Sequence, residues 1–269
     1  MNLEAKYNKL QQIIADLGSI VIGFSGGVDS TLLSKVSYDV LGDDALALTA
    51  NAPIYAEQEI EQAKKMAQEI GINHQVVSIE GDLMGLVRSN PTDRCYHCKS
   101  KIFSQVKDFA GARPVADGTN VDDLGDYRPG LKAIEELEVH SPLKEAGLNK
   151  AEIRKLSKKL GLSSWDDPSL TCLATRFPYG EEITEEKLEM LEEAEIYLYN
   201  LGFEQLRVRY HGDLARIEVA PEERDKFFAL DKLDEINQKL QDLGFDYVTM
   251  YLEGYQTGKM NKTIDEQQN

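Results

Sequence analysis

A glycine-rich segment, S-G-G-V-D-S at residues 25–30, follows an apolar run at 19–24 and precedes a helical pattern at 31–41. Two glycines let the backbone approach an anion, and the helix that follows turns its positive end toward it. The segment therefore predicts a phosphate-binding loop, although it lacks the G-K-[ST] of nucleoside triphosphatase loops. A carboxylate beside phosphates needs a bridging cation, so we expect Asp29 to hold a divalent metal. The alternative is an ordinary glycine-rich turn between a strand and a helix.

The chain around this loop alternates apolar runs with helical patterns. Strands are predicted at 19–24, 45–50, 74–79 and 114–116, and helices at 3–17, 31–41, 56–70, 99–110 and 149–160, the last capped by Asn149. Strands that alternate with helices in this way form parallel sheets. The pattern predicts an α/β fold, a parallel sheet with helices on both faces.

The pattern changes after residue 162. Residues 163–180 hold two prolines, a glycine and the only tryptophan, which indicates a domain boundary. Beyond it, the sequence predicts an acidic helix to about 201, paired strands at 205–210 and 214–219, further helices from Pro221 and a strand at 246–252. We expect a nucleotide-binding α/β domain at residues 1–180 and a smaller α+β domain at 181–269, for substrate binding or oligomerisation.

The charge of the chain argues against some partners. Its 47 acidic and 30 basic residues give a net charge of −17. Proteins that wrap a phosphate backbone present a basic face, so this balance disfavours nucleic acid as the main ligand. No apolar run is long enough for a membrane span, and the first residues lack a signal pattern. We expect a cytoplasmic protein without a membrane or nucleic-acid partner.

The three cysteines form a second unusual feature. Cys95 and Cys98 are spaced C-x-x-C just before the predicted helix at 99–110, and Cys172 lies far downstream. An odd number in an intracellular chain argues against a disulfide framework. Three interpretations remain: buried thiols without a shared role, a structural zinc site with His97 as fourth ligand, or a four-iron cluster with one iron open to another ligand. Spacing alone does not choose among them.

Further segments resemble one protein family, in order and over nearly the whole chain. The loop is similar to the pyrophosphate-binding PP-loop, S-G-G-x-D-S, of ATP pyrophosphatases, and the other segments resemble the LarE family of ATP-dependent sulfur transferases in nickel-pincer nucleotide cofactor biosynthesis. They are D-G-T-N-V-D-D at 117–123, D-Y-R-P-G at 126–130, S-P-L at 141–143, W-D-D-P at 165–168, C-L-A-T-R-F-P-Y-G at 172–180, R-V-R at 207–209 and A-R-I-E-V at 215–219.

The resemblance implies an enzyme that uses ATP and Mg²⁺ to adenylate a carboxylate of a pyridinium dicarboxylate mononucleotide, releasing pyrophosphate. AMP then leaves as a thiocarboxylate forms. The implied reaction takes place in two rounds, one for each carboxylate. Family members with only the cysteine that matches Cys172 give up its sulfur. Cys95 and Cys98 instead resemble the subgroup with a C-x-x-C, for which a [4Fe-4S] cluster carrying an extra sulfide is implied. The resemblance also implies a homo-oligomer, hexamers included, and leaves the sulfide source unknown.

Four other functions compete with this one, of which an amide-forming synthetase with the same loop would need no such cysteines. Cluster-dependent tRNA thiolation enzymes share the loop, but the net charge of −17 argues against a tRNA substrate. A sacrificial-cysteine transferase would use Cys172 without a cluster. A non-catalytic ATP-binding module would leave Asp29 and the cysteines without a purpose.

The candidate site residues follow from the loop and the resemblance. Ser25, Gly26, Gly27, Asp29 and Ser30 are expected to bind ATP and its pyrophosphate, with Thr119 and Asn120 at a predicted strand end, where ligands of α/β proteins collect. Cys172 and Asp29 are the catalytic candidates, and Cys95, Cys98 and Cys172 the candidate cluster ligands.

Arginines in the second half of the chain are candidates for substrate binding. Arg207 and Arg209 alternate on one predicted strand and so face the same way, which suits a phosphate monoester. Cross-strand pairing with Glu218 is the alternative. Arg176 is expected to contact substrate or AMP, and Glu218 either holds a divalent metal or pairs with an arginine. His97 and His211 are interpreted as having no role in catalysis or binding.

Overall fold

A computed structural model describes residues 1–125, 128–168, 171–228 and 230–256 of the chain. The chain forms two compact units: the first comprises residues 1–86 and 93–170, the second residues 87–92 and 171–269. None of the helices in the described ranges combines the length and apolar composition needed to cross a membrane.

The first unit alternates helices and strands. Its elements are α1 (Leu3–Leu17), β1 (Ile20–Gly23), α2 (Val28–Leu41), β2 (Ala45–Asn51), α3 (Glu57–Ile70), β3 (Asn73–Ser78), α4 (Leu83–Val87, whose last residue belongs to the second unit), α5 (Arg94–Ala110), β4 (Val115–Ala116), α6 (Gly130–Glu136), α7 (Pro142–Glu145) and α8 (Lys150–Lys159), with short 3-10 helices at Gly42–Asp44, Val121–Gly125 and Ser163–Asp166.

The four strands of the first unit form a parallel sheet in the order β3-β2-β1-β4. Successive side chains of β1 pack into hydrophobic clusters on opposite faces of the sheet. Ile20 and Ile22 pack with α1, α2, α3 and α8, whereas Val21 packs with α5 and α6. The predicted parallel sheet with helices on both faces is therefore confirmed. Because β1 and β4 are neighbours, the segments that follow them meet at one edge of the sheet.

The second unit is a small α+β structure, as predicted. It contains a 3-10 helix at Leu173–Arg176, α9 (Glu185–Asn200), β5 (Leu206–His211), β6 (Leu214–Val219), a 3-10 helix at Pro221–Phe227, α10 (Leu230–Asp242) and β7 (Tyr247–Met250). β6 pairs antiparallel with β5 and parallel with β7. Both faces of β5 are buried, so Arg207 and Arg209 are as enclosed as Leu206 and Val208.

The position predicted for the C-x-x-C was wrong. Helix α5 begins at Arg94, five residues before the predicted start, so Cys95 and Cys98 lie in its first two turns and not before it. A contact distant in sequence joins its first turn to α6, because Tyr96 Oη donates to Glu136 Oε2 at 2.6 Å. Residues three apart on a helix are neighbours on one face, and this applies to the two cysteines.

Candidate active site

The predicted phosphate loop connects β1 to α2. Its shape depends on Ser30, whose hydroxyl accepts from the Ser25 amide at 3.3 Å and donates to the Gly27 carbonyl at 3.2 Å. Gly27 is the N-cap of α2 and contributes no capping side chain. The first N–H groups of a helix have no partner within it, so the start of α2 directs backbone donors into the loop.

Gly26 is required by both conformation and space. Its φ of +73° is one that L side chains rarely adopt. A Cβ at this position would lie 2.7 Å from Cα of Ala63 on α3. The loop therefore packs against the backbone of α3, and no larger residue fits at position 26.

Asp29 lies in the first turn of α2 and contacts two other segments. Its Oδ1 accepts from Asn120 Nδ2 at 3.3 Å, and its Oδ2 pairs with Lys150 Nζ. Burial raises the pKa of Asp29, although the charge and hydrogen bond of Lys150 act in the opposite direction. The carboxylate is held from both sides and keeps 24% of its side-chain surface exposed, so a ligand can reach it.

The segment after β4 packs directly on the loop. A Cβ at Gly118 would lie 3.1 Å from the Ser30 amide nitrogen. Asp117 is buried and accepts from Ser141 Oγ at 2.8 Å and from the Thr119 amide at 3.1 Å. The Thr119 hydroxyl also donates to Asp117. The structure thus brings Asn120 to the phosphate loop, while Thr119 holds the segment in shape.

Lys150 was missed by the sequence analysis. It is the first residue of α8, next to the N-cap Asn149, whose side chain accepts from the Glu152 amide at 2.9 Å. A lysine in the first turn of a helix opposes the helix dipole, which indicates a nearby anionic partner. This signal singles out Lys150, but it does not identify the anionic partner, because Asp29 is 121 positions away in sequence.

The three cysteines are free thiols, each half-buried. Cys95 and Cys98 belong to the first unit, and Cys172, the N-cap of the 3-10 helix Leu173–Arg176, belongs to the second. His97 Nε2 lies 3.2 Å from Asp93 Oδ2. Within the described ranges, no three histidine, cysteine or acidic side chains form a group that could hold a metal ion.

Arg176 and Glu195 form an enclosed ion pair in the second unit. Arg176 Nε donates to Glu195 Oε1 at 3.0 Å, Nη2 donates to Oε2 at 2.8 Å, and Nη1 donates to the Thr171 carbonyl at 2.6 Å. Burial alone would raise the pKa of Glu195, but the charge and hydrogen bonds of Arg176, the charge of Arg207 and the Val208 amide together outweigh it, so the pKa lies below its usual value. The guanidinium of Arg176 therefore has protein partners, and its contact with substrate or AMP stays a prediction.

Glu218 pairs with arginines on two strands. Arg209 Nε donates to Glu218 Oε2 at 3.0 Å, and Arg216 Nη2 donates to Oε1 at 2.9 Å. Arg207 lies over the ring of Tyr255 at 5.3 Å and donates to the Leu206 carbonyl at 2.6 Å. This geometry corresponds to the cross-strand alternative for Arg209 and Glu218. The role of Arg207 and Arg209 in binding substrate phosphate stays a prediction, as does a metal at Glu218.

Two residues of the family-like segment at 126–130, Asp126 and Tyr127, lie outside the described residues. So do residues 169–170 in the predicted boundary segment and the chain from 257 onward.

Comparison with known proteins gives both partial and full-length similarities. The sequence model of the NAD synthase family matches residues 3–99, which include the phosphate loop. An uncharacterized protein of Synechocystis is 47% identical over 97% of this chain and 99% of its own length. The pyridinium-3,5-bisthiocarboxylic acid mononucleotide synthase of Lactiplantibacillus plantarum is 38% identical over 99% of this chain and 97% of its own length. A tRNA-specific 2-thiouridylase of Caulobacter is 30% identical, but over only 55% of this chain.

Proposed function

This chain belongs to the LarE family of ATP-dependent sulfur-transferring enzymes, and on that premise we propose that it converts a carboxylate of a pyridinium dicarboxylate mononucleotide into a thiocarboxylate. The reaction releases pyrophosphate and then AMP. The support is the full-length similarity to the Lactiplantibacillus plantarum synthase, whose name states this product class. The observation that carries the proposal is Asp29, held by Asn120 and Lys150 beside the phosphate loop.

The loop suits the first half of the reaction. The substrate carboxylate attacks the α-phosphorus of ATP, the bond to the β-phosphate breaks, and pyrophosphate leaves. The backbone donors at the start of α2 stabilise the charge that develops on pyrophosphate. The partly exposed Asp29 carboxylate fits Mg²⁺, which prefers oxygen ligands and would neutralise the leaving phosphates when bound. Ser25, Gly26, Gly27, Val28 and Ser30 form the rest of the loop.

For the second half we propose that Cys95, Cys98 and Cys172 hold a [4Fe-4S] cluster. Two thiols one helical turn apart are suited to bind one cluster, and none of the three is in a disulfide. The bound cluster would supply the sulfide that displaces AMP. The alternative without a cluster uses the sulfur of Cys172 itself. These two versions differ in what Cys95 and Cys98 do, and the substitutions in the Discussion separate them.

The predicted roles of the two domains and of the arginines are also part of the proposal. Residues 1–180 would bind ATP, and residues 181–269 would bind the substrate phosphate through Arg207 and Arg209 or form the contact between subunits of a homo-oligomer. A phosphate monoester would compete with Glu218 for Arg209, because this carboxylate already occupies the guanidinium. Arg176 would contact substrate or AMP in the same way, in competition with Glu195.

The test of this function is a product assay. The protein is incubated with ATP, Mg²⁺, sulfide and the pyridinium dicarboxylate mononucleotide, and AMP and the thiocarboxylate are identified by chromatography and mass spectrometry. We expect AMP only when the mononucleotide is present. AMP formation that depends on tRNA instead, or no AMP with either substrate, would contradict the proposal.

A further inference from the structure

Two side-chain hydrogen bonds connect β3 and β2 to the residue that precedes the phosphate loop. The Thr49 hydroxyl of β2 donates to the Phe24 carbonyl at 2.7 Å, and His74 Nε2 of β3 lies 2.8 Å from the same hydroxyl oxygen. Phe24 is followed directly by Ser25, the first residue of the loop. We propose that Thr49 and His74 are positioning residues, which hold the loop in the conformation that binds pyrophosphate. This inference rests on the proposed use of ATP.

The direction of both hydrogen bonds follows from the groups involved. A carbonyl oxygen can only accept, so the single proton of the Thr49 hydroxyl goes to Phe24. The hydroxyl oxygen therefore accepts from His74, whose Nε2 carries a proton. Burial and the charge of Lys64 lower the pKa of His74, so this ring is neutral at pH 7. The rings of His74 and Phe24 also meet edge to face, with centroids 5.6 Å apart, so His74 contacts Phe24 both directly and through Thr49.

The peptide group between Phe24 and Ser25 is held at both of its polar atoms. In a trans peptide the C=O and the following N–H point in opposite directions. The Phe24 carbonyl accepts from Thr49, while the Ser25 N–H donates to Ser30 Oγ at 3.3 Å. A rotation of this peptide would break both hydrogen bonds. Thr49 is buried, so water does not compete for its hydroxyl, and the orientation of the chain where it enters the loop is fixed.

The loop needs such contacts because two of its residues, Gly26 and Gly27, are glycines. Glycine loses more conformational freedom on ordering than any other residue. A loop that is already ordered before its ligand arrives loses less entropy on binding. The backbone of α3 restrains Gly26 from one side, and the Thr49–His74 pair restrains the peptide that precedes the loop. Loss of the pair should therefore weaken binding of pyrophosphate, whereas AMP, which lacks the leaving phosphates, should depend less on it.

The experiment compares the binding of inorganic pyrophosphate and of AMP, each with Mg²⁺, by isothermal titration calorimetry. The variants are Thr49→Val, which keeps the shape but removes the hydroxyl, Thr49→Ser, which keeps the hydroxyl, and His74→Phe, which removes the donor. Thr249→Val is the matched control, because the Thr249 hydroxyl also donates to a carbonyl of a neighbouring strand, that of Ala215 at 3.2 Å, in the second unit.

We expect Thr49→Val to weaken pyrophosphate binding by about fivefold, the usual effect of losing one hydrogen bond. His74→Phe should weaken it in the same direction, Thr49→Ser should retain the wild-type affinity, and AMP affinity should stay within about twofold in every variant. The control should bind both ligands as the wild type does.

Three results would overturn this inference. Unchanged pyrophosphate affinity in both Thr49→Val and His74→Phe would mean that the pair does not act on the loop. A loss in Thr49→Ser as large as in Thr49→Val would mean that the hydroxyl is not responsible. Equal losses of AMP and pyrophosphate affinity would mean a purely structural role. If Thr49→Val does not fold, the half-buried His74 still permits the test through His74→Phe. Failure of the wild-type protein to bind either ligand would instead contradict the proposed function.

Discussion

The Arg176 guanidinium and the Glu195 carboxylate meet at two points, with Nε–Oε1 and Nη2–Oε2 distances of 3.0 and 2.8 Å, and both side chains are buried. Glu195 Oε1 also accepts from the Val208 amide of β5 at 2.9 Å. This pair joins the segment that contains Cys172 to α9 and to the sheet of the second unit. Its removal should therefore affect the stability of that unit.

Glu195→Gln is expected to lower the free energy of unfolding by about 3–5 kcal/mol, the usual effect of leaving a buried charge without its partner. The charge left behind is that of Arg176. The measurement is urea unfolding at pH 7. Glu193→Gln is the control, because Glu193 is exposed on the same helix. An equal, small effect of the two substitutions would show that the pair contributes little.

The same pair predicts a pH dependence. Despite burial, the charges of Arg176 and Arg207 and the hydrogen bonds from Arg176 and the Val208 amide together hold the pKa of Glu195 below its ordinary value of 4.5. A carboxyl group whose pKa is lower in the folded state stabilises the fold above the unfolded pKa, and this contribution is lost as the pH falls through the folded pKa. The unfolding free energy of the wild type should fall more steeply below about pH 4.5 than that of Glu195→Gln. Parallel curves for the two proteins would contradict this assignment.

Gly26→Ala should destabilise the protein more than Gly18→Ala. Both glycines have a positive φ, +73° and +69°, so both substitutions pay about 1–2 kcal/mol for backbone conformation. Only at Gly26 would the new Cβ meet backbone, 2.7 Å from Cα of Ala63, whereas at Gly18 no heavy atom of the described residues lies within 4 Å. We expect an additional loss of about 1–3 kcal/mol at position 26 and weaker pyrophosphate binding. Equal losses in urea unfolding would show that the loop moves away from α3.

Local sequence signals were sufficient for much of the first unit. The alternation of apolar runs and helical patterns predicted the parallel sheet, and Asn149 was identified as a cap because its side chain acts within one turn of helix. The loop between β1 and α2 is predicted from the sequence for the same reason: its glycines and Asp29 are contiguous, between a strand and a helix.

Contacts between distant residues account for what sequence did not predict. The first turn of α5 contacts α6 through the hydrogen bond from Tyr96 to Glu136, 40 positions away. Lys150 meets Asp29 only because α8 and α2 lie side by side in the fold. The burial of Arg207 and Arg209 also has no local signal, since an alternating strand pattern does not show that both of its faces are covered.

Asp29→Asn should strongly reduce catalysis without lowering the melting temperature. Burial raises the pKa of Asp29, so the folded state binds this proton more tightly than the unfolded state does, and ionised Asp29 costs stability at neutral pH. A neutral amide removes that cost but binds Mg²⁺ poorly, and we expect AMP formation to fall by about 10²–10³-fold. Asp39→Asn, in the exposed pair with Lys35 on the same helix, is the control. Retained AMP formation in Asp29→Asn would exclude the proposed metal ligand.

Substitution of each cysteine by alanine separates the two sulfur-transfer mechanisms, and the three variants serve as controls for one another. If the thiols share a cluster, Cys95→Ala, Cys98→Ala and Cys172→Ala should each lose iron, visible absorption and thiocarboxylate formation in protein purified without oxygen. ATP binding should survive in all three, because Asp29 and the phosphate loop are unchanged. The measurements are iron content, the absorption spectrum and product mass. Loss of thiocarboxylate in Cys172→Ala alone, with colourless and active Cys95→Ala and Cys98→Ala proteins, would assign the sulfur to Cys172 itself and contradict the cluster.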